Sequence, residues 1–193
     1  MRKLTIDDIA DLRAYERERD EFRARIIALK KARRVPLGEL MTVVFENTDT
    51  MRFQIQEMAR AERMLRDEQI AHEVETYNEL LPGDGELSAT LFVEITDPAG
   101  LREWLPKLVG LQDHVAMEVA GVVSPATEID EERLTREDEM TTTVHYLRFA
   151  FTPEQQAAFA AGPVVLRIDH PEYQASVELS DETRASLAAD FTS

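Results

Sequence analysis

The chain has 193 residues, no cysteine, and 38 acidic against 22 basic side chains, for a net charge of −16. That charge disfavours nucleic acid and anionic membrane surfaces as partners, because both are held by basic faces. Without cysteine there is no disulfide, no thiol nucleophile and no thiolate-held iron–sulfur or zinc site, which fits a reducing, cytoplasmic setting. A hydrophobic content of 44% suffices for a sizeable core, and one domain spanning 1–193 is expected. The opening residues turn acidic with no apolar stretch behind them, so no secretory signal is expected. No apolar run approaches the ~20 residues that cross a bilayer.

Thr5 with Asp8 reads as a capping box, and no Gly or Pro interrupts the chain from there to Arg34. The expectation is a long N-terminal helical segment, 5–34, packed on an α+β body. Tyr15, Phe22, Ile26 and Leu29 form an apolar stripe along it, interrupted by the charged run 16–21. The stripe predicts self-association through this helix, since one short sheet leaves it uncovered. Pro36 and Gly38 end the segment. Val43 and Phe45, then Met51, Phe53 and Ile55 across Asn47-Thr48-Asp49, read as a β-hairpin. Residues 57–80 read as two helices breaking near Asp67, and Pro82-Gly83-Asp84-Gly85 as a loop.

Leu87, Ala89, Leu91, Val93 and Ile95 share one face of a strand, and Asp97-Pro98 opens a short helix through Trp104. Val115, Met117 and Val119 mark a strand, and 121–141 reads as a loop with an acidic run. A strand over 142–151 follows, then a helix capped by Thr152-Pro153, a hairpin around His170-Pro171 and a last helix capped by Ser180. The sum is α+β, a mostly antiparallel sheet with helices on one side.

Charge is split along the chain. Residues 1–66 carry 15 basic and 12 acidic side chains, whereas 67–193 carry 7 and 26. Either the N-terminal helix is a solvated face laced with ion pairs (Glu21–Arg25 at i,i+4; Glu16–Arg19 and Asp20–Arg23 at i,i+3), or it docks on the acidic body.

Glu57, Arg60, Glu62 and Arg63 cluster in the segment QIQEMARAERM, as a small-anion site or a structural salt-bridge group. Of the two, the salt-bridge group, with Arg60 and Arg63 pairing Glu57 and Glu62, is the more common outcome. His145 sits on a strand face and is expected half buried, bonded to backbone. Glu68, His72 and Glu75 lack metal-ligand spacing, so no metal and no cofactor are expected. Asp169-His170 reads as a hairpin tip. No phosphate-binding glycine loop, nucleophile elbow or zinc-protease motif occurs.

The stretches LTIDDIADLRAYERERDEFRARIIALKKARRV, FQIQEMARAERM, ELSATLFVEI and VHYLRFAF resemble a bacterial family of uncharacterised proteins over essentially the full length. Its genes often neighbour those of rubrerythrin and an iron–sulfur oxidoreductase. The resemblance implies a setting in peroxide or oxygen-stress metabolism and supplies no catalytic residues. The expectation is therefore an accessory or binding protein beside a redox system, without redox chemistry of its own. The alternatives are an enzyme on a small anionic substrate using Arg60, Arg63 and His145, or a structural homo-oligomer.

Overall fold

In the computed structural model, residues 1–129 and 140–192 are described, and the acidic run at 130–139 lies outside them. The expected start signal forms: the Asp8 carboxylate accepts from the Thr5 amide at 2.7 Å and from the Thr5 hydroxyl at 2.9 Å. It starts only one 3-10 turn, Ile6–Asp8, and the long helix α1, Leu12–Arg33, begins separately under the cap of Asp11. The break has a distant cause. The buried Gln56 side chain accepts from the Ala10 amide at 2.7 Å and donates to the Ala10 carbonyl at 3.1 Å, taking both groups a continuous helix would use.

The expected hairpin at 43–55 does not form. Strand β1, Arg34–Leu37, pairs instead with β2, Met41–Glu46. Asn47-Thr48-Asp49 then opens helix α2, Thr48–Ala61, with the Asn47 side chain accepting from the Thr50 amide and the Thr50 hydroxyl accepting from the Asn47 amide. Met51 and Ile55 alternate as a strand would, but with Ala59 they are also i, i+4 and i+8, and all three are buried on one helix face. Helix α3, Asp67–Glu79, follows after the expected break.

Strand β3 is Glu86–Val93, and α4, Pro98–Lys107, is capped by Asp97 through the Gly100 amide at 2.7 Å. Strands β4, Val115–Val119, and β5, Val122–Glu128, come next. The sequence reading missed β5: its inward residues are Ser124 and Ala126 around Pro125, so it lacks an apolar alternation. Strand β6, Val144–Ala150, leads to α5, Pro153–Phe159, capped by Thr152. The hairpin β7, Val164–His170, with β8, Tyr173–Glu178, and helix α6, Asp181–Ala188, capped by Ser180, complete the chain.

All eight strands pair antiparallel in the order β1-β2-β3-β6-β5-β4-β7-β8. Strand β5 pairs with β4 through its first residues and with β6 through its last, joining two halves of a strongly curled sheet. The edge strands β1 and β8 nearly meet. The Tyr173 hydroxyl donates to the Leu37 carbonyl at 2.9 Å and accepts from the Leu40 amide at 3.1 Å. A Cβ at Gly38, whose φ is +72°, would stand 2.1 Å from that hydroxyl oxygen, so the approach requires glycine there.

The result is α+β, with the sheet an almost closed barrel rather than an open layer with helices on one side. Its interior is packed with Val43, Leu91, Met117, Leu147, Phe149 and Leu166, all fully buried. Leu105, Leu108 and Leu111 fill one end, and Phe151, Phe159 and Phe191 the other, with ring centroids 5.3–5.6 Å apart. Helices α1 to α3 pack outside the barrel. No helix of the described residues is long and apolar enough to cross a membrane.

Candidate functional site

The N-terminal helix uses its apolar stripe within its own chain. Tyr15, Phe22 and Ile26 are buried, and Phe22 meets Phe53 of α2 edge-on at 5.7 Å. Most of the apolar surface expected to drive self-association is therefore covered, with Leu29 partly buried at its end. Within the charged run 16–21, Glu16 and Arg19 meet polar partners on α2, while Arg17, Asp20 and Glu21 are exposed. Arg19 donates to both Glu57 oxygens at 2.8 Å, and the Tyr15 hydroxyl donates to Glu57 at 2.7 Å. Arg60 pairs with Glu16 at 2.6 Å. So Glu57 and Arg60 pair with neighbours on α1, not within the 57–63 group as the sequence suggested. The Arg19 guanidinium holds the Glu57 carboxyl below the usual carboxylate range. Burial, then Glu57, pushes the Tyr15 phenol up, so it stays a donor. The Arg60–Glu16 pair is about half exposed and contributes little to stability.

Glu62 and Arg63 are exposed at the end of α2. Glu62 is the C-cap. Arg63 follows at φ +52°, its amide bonded to the Arg60 carbonyl at 3.3 Å, while the Met64 amide bonds to the Ala59 carbonyl at 2.9 Å. This is the Schellman ending, in which glycine normally takes the place of Arg63. A β-carbon in the left-handed region costs about 1–2 kcal/mol, partly offset in a Gly variant by unfolded-chain entropy. Replacing Arg63 by Gly is thus expected to raise stability by about 1 kcal/mol, a melting-temperature gain of roughly 2–4 °C. Calorimetry showing a lower melting temperature would mean the Arg63 side chain has a folding role that outweighs its strain.

That ending aims Met64 inward and Leu65 outward. Leu65 is 79% exposed and overhangs a groove of about 390 Å3. Ile6 and Ile9, Leu12 from the start of α1, and Ile70 from α3 give it apolar walls, and Asp7, Asp11 and Asp67 line it as well. Leu65 stands between Met64 and Arg66, so the sequence carries no local sign of the groove.

His145 lies elsewhere. It points into the barrel and is 2% exposed, more deeply buried than expected. Its Nδ1 is 2.9 Å from Glu128 Oε1, and its Nε2 is 3.2 Å from the Thr142 carbonyl and 3.1 Å from the Thr141 hydroxyl. Arg60 on the outer helices and His145 inside the barrel therefore have separate partners. His72 is exposed on α3. His170 accepts from the Glu172 amide at Nδ1 and donates from Nε2 to the Val109 carbonyl, as a turn residue does. Among the described residues no group of three or more His, Asp and Glu side chains is placed to hold a metal ion.

The sequence pattern of a family described as "Protein of unknown function (DUF3501)" matches residues 3–191. A crystal structure of a novel protein of unknown function from Burkholderia pseudomallei K96243 is similar at 34% sequence identity. The match covers 98% of this chain and 99% of that one, with a TM-score of 0.90. No curated protein matches.

Proposed function

The chain belongs to the DUF3501 family of proteins of unknown function, and on that premise we propose that it is an accessory binding protein that docks a partner protein at the groove under Leu65. The observation that carries this reading is Leu65 itself: a large apolar side chain 79% exposed, displayed beside a groove of isoleucine, leucine and aspartate side chains by a strained, non-glycine helix ending. Exposed apolar surface at a groove marks a contact site, and backbone strain is retained where the surrounding structure has a use for it. The proposed setting is beside a redox system, supported by the resemblance to proteins whose genes neighbour rubrerythrin and an iron–sulfur oxidoreductase. With no cysteine, thiol redox chemistry belongs to the partner.

The enzyme reading has less support, because Arg60 is neutralised by Glu16 and His145 is enclosed in the barrel with Glu128. The structural-oligomer reading has less support, because Tyr15, Phe22 and Ile26 of the α1 stripe are buried within the chain.

The test is a photo-crosslinking residue placed at Leu65, with a second at the exposed Glu182 of α6 as control, in the native cells. The expected result is one discrete adduct from position 65, containing a redox protein. Equal adducts from both positions would refute docking at the groove. A single adduct with a protein lacking any redox cofactor would refute the setting.

A further inference from the structure

Taking the groove as the docking site, we propose that its occupant is an amphipathic helix of another protein, laid apolar face down with Lys or Arg along its flanks. The groove has the two features such a helix needs. Ile6, Ile9, Leu12, Leu65 and Ile70 give an apolar surface contributed by three helical segments, suited to side chains spaced one helical turn apart. Asp7, Asp11 and Asp67 stand on the same surface, and none of them has a cationic partner among the described residues. Asp11 caps α1 through Oδ1 alone, leaving its second oxygen available.

Charge decides between classes of partner. The three carboxylates line the part-apolar groove itself, whereas Arg63 and Arg66 are exposed beside Leu65 at its rim, so the lining disfavours nucleic acid and anionic lipid and attracts cationic side chains. A second copy fits poorly. A two-fold pairing of groove on groove sets these aspartates against each other. Seating the groove on the basic outer face of α1, where Ile27 is 54% exposed beside Arg23, Lys30 and Lys31, joins two different surfaces. Such a contact propagates into rings or filaments instead of closing a dimer. The groove is thus fitted to a different protein with a basic amphipathic helix.

The probe is a fluorescent Leu/Lys peptide of about 18 residues with helical apolar periodicity, long enough to form a helix on binding. A scrambled peptide of the same composition is the comparison, and binding is read by anisotropy. The periodic peptide is expected to bind at least tenfold more tightly than the scrambled one. Binding should be lost in Leu65→Ser and fall at least tenfold in the Asp7→Asn, Asp11→Asn, Asp67→Asn triple variant. Asn keeps the α1 cap, and the triple change moves the net charge only from −16 to −13, so a loss reports local rather than general attraction. Equal binding of the two peptides, or unchanged binding in either variant, overturns the inference. So does self-association of the peptide-free protein that Leu65→Ser abolishes, which makes a second copy the occupant. Failure of the peptide alongside a discrete crosslink at position 65 would reject the basic-helix chemistry and leave partner docking standing; failure of both rejects both.

Discussion

Replacing Arg33 by Ala is expected to destabilise the protein by about 3–5 kcal/mol, the cost of breaking a buried ion pair from one side. At this chain length that lowers the melting temperature by on the order of 10 °C. Arg33 ends α1 and is 1% exposed. Its guanidinium donates to the Phe45 carbonyl at 2.9 Å, to the Glu46 carbonyl at 3.1 Å and to the Ser186 carbonyl at 3.3 Å, and it pairs with Asp190. One side chain thus ties α1, the end of β2, α6 and the C-terminal turn together. Burial pushes the Asp190 carboxyl up, and Arg33 pulls it back down. Without Arg33 the larger of the two lowering influences is gone, the N-terminal ammonium being the smaller, so the folded-state pKa rises further. A raised carboxyl pKa means stability that is present at acid pH and lost as pH rises through the folded value. The deficit of the Arg33→Ala protein should therefore be largest at neutral pH and shrink toward pH 4. Denaturant titrations at the two pH values that give equal deficits, or a loss below about 1 kcal/mol, would contradict this account.

Truncation of His145 should have the next largest effect, about 3 kcal/mol. His145→Ala leaves the Glu128 carboxylate, itself nearly buried, without its partner inside the barrel. Replacing both residues by Leu removes the pair without leaving a buried charge. The double variant should accordingly be more stable than either single substitution, with a coupling of 1 kcal/mol or more in the double-mutant cycle. Additive effects would show that the two side chains do not act as a pair. Glu128 precedes residues 130–139, while Thr141 and Thr142, which contact the His145 ring, follow them. The pair thus brings the two flanks of that segment together.

Much of the fold was legible because its signals are local. Asp97-Pro98, Thr152-Pro153 and Ser180 each cap the helix expected of them, since an N-cap needs only its own side chain and amides two or three residues on. Strands β6 and β7 alternate in burial as their apolar residues alternate in sequence, whereas β3 follows the apolar half of its pattern but buries Ser88 and Thr90 as well. The break at Asp67 and the loop at 82–85 were legible for the same reason.

What the sequence by itself determined was therefore the helices with their own caps, the strands with a clear apolar alternation, the absence of thiol chemistry and the strongly acidic charge. Tertiary structure decided whatever depended on partners far along the chain. Met51, Phe53 and Ile55 suit a strand or a helix over so short a run, and burial of the 51–55–59 face behind the Asn47 cap selected α2. Spacing pointed to Glu16–Arg19, yet Arg19 chose Glu57 and Glu16 chose Arg60, because packing α1 on α2 presented carboxylate and guanidinium groups in better geometry than one turn of helix does. Barrel closure through Tyr173 and Gly38, the interruption at Ala10 by Gln56 and the groove under Leu65 have the same origin: each needs groups tens of residues apart to meet, and sequence distance alone does not specify which ones do.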